Sequence, residues 1–63
     1  MKFTLEIECD NEAFCAYGEE SLHEETANIL GYVSNQVRDG YVKGVAYDMN
    51  GNNVGIYKFY EDQ

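Results

Sequence analysis

The chain has 63 residues, with 12 Asp or Glu against 4 Lys or Arg and a formal net charge of −8. That length allows one domain with a small core, near the lower limit for folding without a disulfide, metal or partner. The charge argues against direct binding to nucleic acid or to an anionic membrane surface, both of which call for clustered Lys and Arg, and suits a basic partner instead.

No apolar run approaches the roughly 20 residues of a membrane span, and no basic segment leads into an apolar export signal. A cytoplasmic location is therefore expected. Cys9 and Cys15 then read as reduced thiols, Cys9 as a core residue and Cys15 as a second candidate for one.

The first element is a strand over about residues 2–10. Phe3, Leu5, Ile7 and Cys9 alternate there with Lys2, Thr4, Glu6, Glu8 and Asp10. "DNEAFCAYG" follows as a turn region, in which Asn11 can cap a single helical turn through Phe14 and Gly18 breaks the chain. A helix over about residues 21–39 comes next. Ser21 and Glu24 have capping-box spacing, and Leu22, Thr26, Ile29, Leu30, Val33 and Val37 form an apolar stripe. Gly40 stands where a left-handed stop belongs, with Arg38 in the last turn. Gly31 inside the helix costs about 1 kcal/mol against alanine, and a close strand approach is one reason to have it there.

Two further strands are predicted over about residues 41–48 and about residues 53–61, joined by the Asn50-Gly51 hairpin signal. Both carry apolar bulk on both faces, whereas one helix covers only one face of a sheet. The order β-α-β-β gives an α+β fold, a three-stranded antiparallel sheet with one helix on one face. Placing the last strand in the middle makes every pairing antiparallel.

Chemistry is sparse. His23 is the lone histidine, and "HEE" lacks the second histidine of a zincin helix, since position 27 is Ala. Cys9, Cys15 and His23 make a three-ligand zinc set of odd spacing, against which stands an ordinary exposed histidine. "DMNGNN" departs from a calcium loop, with Gly51 fourth instead of sixth and Phe59 at the twelfth place. There is no nucleophile–base set and no phosphate loop, so no enzyme, cofactor or metal site is expected.

What remains is surface. Glu6, Glu8 and Asp10 on one strand face would stand about 6.6–6.8 Å apart. Glu20 and Glu24 lie one helical turn apart with Glu25 beside them, while Glu19 and Glu20 precede the expected cap. Glu12 and Asp39 join the acidic set, and Asp48, Glu61 and Asp62 add charge at element ends. A solvated acidic face explains the residues near the helix start, but it does not require so large an uncompensated charge. Rows of carboxylates on a rigid frame can occupy a Lys- and Arg-lined groove built for DNA. Tyr47 and Tyr57 are read as lying on the open sheet face, available to a partner or to a second copy, with Tyr17 and Tyr60 as further contact candidates.

The opening "MKFTLEIECDNEAF", the Glu-rich helix ending in "VRDG" and the closing "DMNGNNVGIYKFYE" resemble a group of very small phage and mobile-element proteins of β-α-β-β build. The resemblance spans most of the chain and rests on structural motifs. Small acidic phage proteins of this size include anti-CRISPR inhibitors, several of which act as DNA mimics on a Cas effector. The resemblance thus implies a phage-type inhibitor in the host bacterial cytoplasm, acting on an effector such as Cascade, and transfers no residue of known role. Two alternatives stand beside it. One is a phage assembly module that dimerises through its Tyr-bearing sheet face, and the other is a protein that sequesters a host DNA-binding regulator.

Overall fold

A computed structural model of the chain describes residues 1–15 and 18–61. The elements are β1 (Lys2–Ile7), α1 (Glu12–Cys15), α2 (Glu19–Arg38), β2 (Lys43–Tyr47) and β3 (Asn53–Tyr60). The strands form one sheet in the order β1-β3-β2, with both pairings antiparallel. This is the expected α+β arrangement with the last strand central, and α1 is added at its end.

β1 stops earlier than expected. The Glu8 N–H still bonds the Val54 carbonyl at 2.7 Å, after which the chain turns into α1. Asn11 sets that turn by accepting the Ala13 N–H on its side-chain oxygen at 3.0 Å, an N-cap that satisfies one orphan donor of the short helix. Ala13 and Phe14 are thereby buried, Phe14 at only 1% exposure.

The helix α2 begins two residues before the predicted cap. Gly18, at φ 81° and ψ −150°, is the N-cap and makes no side-chain capping bond. Its positive φ turns the chain in a way an L residue resists, and the helix starts at once. Glu19 and Glu20 therefore occupy the first turn, where the helix dipole favours them. The Ser21–Glu24 capping box does not form. Ser21 lies buried inside the first turn, its N–H bonded to the Gly18 carbonyl at 3.1 Å.

Ile29 and Val33 are buried, and Leu22, Thr26 and Val37 are partly so, but Leu30 stays 48% exposed. The end of α2 follows expectation. The N–H groups of Gly40 and Tyr41 bond the Val37 and Gln36 carbonyls at 3.0 and 3.1 Å, the paired bonds of a Schellman stop. Gly31 does not accommodate a strand, because a Cβ placed there meets nothing within 4 Å.

β2 and β3 are joined through Asp48–Asn52. The Asp48 carbonyl accepts the Gly51 N–H, and the Asp48 N–H bonds the Asn52 carbonyl, both at 3.0 Å. Gly51 takes φ 82° while among the described residues no non-glycine has positive φ, so the connection is a three-residue loop closed by Gly51. Ala46 pairs with Gly55 but Tyr47 pairs with Asn53, which leaves Val54 as an extra residue in β3.

The register decides the faces. Phe3 pairs with Phe59, and Leu5 and Gly44 flank Tyr57 from either side. This side faces α2, because the Tyr57 hydroxyl donates to Gln36 Oε1 at 3.3 Å. Tyr57 is 1% exposed and lies under the helix, contrary to its expected place on the open face. It fits there because Gly44 has no side chain, and a Cβ at position 44 would fall 2.6 Å from Tyr57 Cζ. The opposite, uncovered face holds Lys2, Thr4 and Glu6 from β1, Ile56, Lys58 and Tyr60 from β3, and Lys43 and Val45 from β2.

Candidate interaction surface

Two buried carboxylates, Glu25 and Asp48, hold one end of the molecule together. Glu25, 5% exposed, accepts the Met49 N–H on Oε2 at 2.7 Å and so fixes the first half of α2 against the hairpin. Asp48, 6% exposed, accepts the Asn50 and Asn52 N–H groups on Oδ1, both at 2.9 Å. Its Oδ2 accepts the Asn52 amide at 3.2 Å and the Asn11 amide at 2.6 Å, which ties α1 to the hairpin. Burial alone would raise the Asp48 pKa, but these hydrogen bonds outweigh it and hold the carboxyl below its ordinary value of 3.8.

The end so assembled gathers the exit of β1, α1, the start of α2 and the hairpin. Glu8, Asp10, Glu12, Glu19, Glu20 and Glu24 are all exposed on it. The four Lys and Arg residues lie elsewhere. Lys2 sits opposite Tyr60, Lys43 opposite Lys58, and Arg38 in the last turn of α2. Lys58 places its Nζ 4.8 Å from the Tyr60 ring centroid. Glu6 lies at the boundary between the two regions, one same-face step of about 6.6–6.8 Å from the row Thr4–Lys58–Lys43. The charge is therefore segregated along the molecule, with an acidic hairpin end and all the cations displaced from it.

Several expected members of the acidic surface leave it. Glu25 points inward to the Met49 N–H and is unavailable to a partner, because its carboxylate replaces a missing backbone acceptor. Asp39 caps the far end of α2, about 30 Å along a 20-residue helix from Glu19. Asp10 is beyond the end of β1, so Glu6, Glu8 and Asp10 do not form one strand row. Asp48 is a buried hub and not a surface charge.

Tyr47 is 50% exposed, but it borders a recess shared with Glu25, Asn28, Tyr32 and Met49, beside the helix. Burial, with smaller effects from Tyr32 and Tyr41, raises the Tyr57 pKa above 10.0. Tyr60 is 42% exposed on the uncovered face. Tyr17 and Asp62 lie outside the described residues.

Cys15 is exposed and Cys9 partly buried, both free, so Cys15 is not a core residue. Cys9 Sγ rests 3.8 Å from Thr26 Oγ1. Among the described residues no cluster of His, Cys, Asp and Glu is placed to hold a metal ion, and Cys9, Cys15 and His23 are not brought together. Among the same residues no helix is long and apolar enough to cross a membrane.

One feature escaped sequence reasoning. A cleft of about 470 Å³ runs between β1 and α2, lined chiefly by Phe3, Leu5, Leu30, Val33, Val37 and Phe59. Phe3 and Leu30 belong to the inward pattern yet remain 41% and 48% exposed. The signal available was the mismatch between three strands and a single helix. Comparison of the chain with known protein families, curated proteins and solved structures gives no match.

Proposed function

We propose that this protein is a non-enzymatic inhibitor whose acidic hairpin end takes the place of nucleic acid in the binding site of a basic protein. The carrying observation is the cluster of exposed Glu8, Asp10, Glu12, Glu19, Glu20 and Glu24, from which every Lys and Arg is displaced. Glu20 and Glu24 stand about 6 Å apart along the helix axis, and the bonds through Glu25 and Asp48 hold their supporting elements in one frame. A preformed array of carboxylates offers charge-assisted hydrogen bonds to Arg and Lys and steers a basic partner toward it. The resemblance to anti-CRISPR proteins points to a Cas effector such as Cascade, in the cytoplasm of a host bacterium.

The test is binding to a purified effector across a salt series, with DNA as competitor. Affinity should fall as salt rises, DNA should displace the protein, and Glu8→Lys, Glu20→Lys and Glu24→Lys should each weaken binding. Asp39→Lys, at the far end of the helix, should have a smaller effect. Salt-independent binding, or full inhibition by the triple charge reversal, would refute mimicry. A host DNA-binding regulator would engage the same acidic end, and capture from host lysate separates that target from a Cas effector. The assembly-module reading would draw on Tyr60 of the uncovered face, while Tyr57 is under the helix and Tyr47 borders the recess beside it.

A further inference from the structure

The two edges of the sheet are unlike. β2 is five residues long with an irregular register between Ala46 and Tyr47, which blunts it as a template. β1 is six residues long, pairs with β3 in unbroken register, and among the described residues has no strand on its outer side. Since the Glu8 N–H bonds the Val54 carbonyl, the backbone groups of alternate residues Phe3, Leu5 and Ile7 turn toward the free edge. Beside that edge lies the apolar cleft, with Phe3 and Leu30 exposed.

We propose that this edge pairs with β1 of a second copy, antiparallel about a two-fold axis at Thr4, to give a six-stranded sheet. The stretch "KFTLE" is complementary to its own reverse. With Thr4 opposite Thr4 of the second copy, Phe3 and Leu5 become the reciprocal hydrogen-bonded pairs that the free edge offers. Lys2 then faces Glu6 of the second copy, and Glu6 faces its Lys2, in the closer non-hydrogen-bonded positions. A two-residue shift that sets Phe3 opposite Phe3 loses these ion pairs, one that sets Leu5 opposite Leu5 exchanges them for Lys2 with Glu8 beyond the end of β1, and a one-residue shift turns Phe3 and Leu5 away from the helices. In the chosen register the inward residues of the second strand lie over the cleft. The acidic hairpin end of each copy also comes to the cation-bearing end of the other. The same two charges that deter indiscriminate partners on an exposed edge therefore select a second copy of this chain.

The inference rests on β1 and not on the acidic end, so its failure leaves the proposed inhibition untouched. Sedimentation of the full chain should show a reversible dimer. Lys2→Glu or Glu6→Lys alone places like charges opposite twice per dimer and should weaken association on the order of tenfold, whereas the Lys2→Glu/Glu6→Lys swap should restore it. Lys2 and Glu6 are both exposed, and circular dichroism of each variant confirms that it is folded. In a Cys15→Ser background, Thr4→Cys should form an intermolecular disulfide under mild oxidation and Lys58→Cys, on the uncovered face, should not. A chain that stays monomeric at about millimolar concentration, a dimer indifferent to both single reversals, or cross-linking through position 58 instead of position 4 would each overturn the proposal.

Discussion

Adding one methyl group at Gly31 and at Gly44 should move stability in opposite directions. Gly31 is in the middle of α2, where a Cβ has nothing within 4 Å. Alanine there introduces no clash and removes backbone freedom mainly from the unfolded chain, a gain of about 0.8–1 kcal/mol. For a domain of this size that corresponds to a rise in Tm of about 4–8 °C. Gly44 is the reverse case, because its Cβ would sit 2.6 Å from Tyr57 Cζ and the ring is held between Leu5, α2 and the sheet. Tyr57 is 1% exposed and its hydroxyl is tied to Gln36, so the ring must shift against its packing and Gly44→Ala should cost about 1–3 kcal/mol as an overpacking change. Urea unfolding followed by circular dichroism measures both. A Gly31→Ala variant that is less stable than the parent would mean that the outer face of α2 is packed against something, and the open-space reasoning would fall.

Three other outcomes are expected. The Asp48 carboxyl has a folded-state pKa below its unfolded one, so its stabilisation is complete above the unfolded value of about 3.9 and is lost as pH falls through the folded value. An acid titration of stability should show this loss, and Asp48→Asn should flatten it. Tyr57 has its pKa raised, so its contribution is intact below pH 10.0 and declines as pH rises toward the folded value. Tyrosinate absorbance should show one late-ionising tyrosine that disappears in Tyr57→Phe. Glu25→Ala deletes the acceptor of the Met49 N–H and should cost about 1–3 kcal/mol by urea unfolding, where an exposed glutamate would cost almost nothing.

The repeating parts of the fold are legible in the sequence. Alternation in "KFTLEI" and the stripe Ile29–Val33–Val37 report one-sided burial, and antiparallel pairing follows from the order of elements. The grouping of Ile56, Lys58 and Tyr60 against Tyr57 and Phe59 is also visible. Which group faces the helix is not, because both are apolar enough to be buried. The deciding residue is Gly44, whose lack of a side chain matters only once Tyr57 is known to lie across from it. Ser21 misleads because a capping box is a local preference, and Gly18 with its positive φ starts the helix sooner. Glu25 and Asp48 read as surface charge because composition cannot reveal a backbone donor 24 residues away or a loop that closes around a carboxylate. The acidic site is therefore half legible. Its charge is plain in the sequence, but its membership is decided by tertiary hydrogen bonds.

Separating the carboxylates at the hairpin end from Lys2, Lys43, Lys58 and Arg38 makes the protein a dipolar particle. Its retention on an anion exchanger should exceed that of an evenly charged protein of the same net charge, because it can present one face to the resin. Its diffusion into a basic cleft should likewise be oriented before contact, hairpin end first. In an antiparallel pair the two moments point in opposite directions and largely cancel. Dielectric relaxation would then read the assembly state directly, with a large moment for the single chain and a small one for the pair.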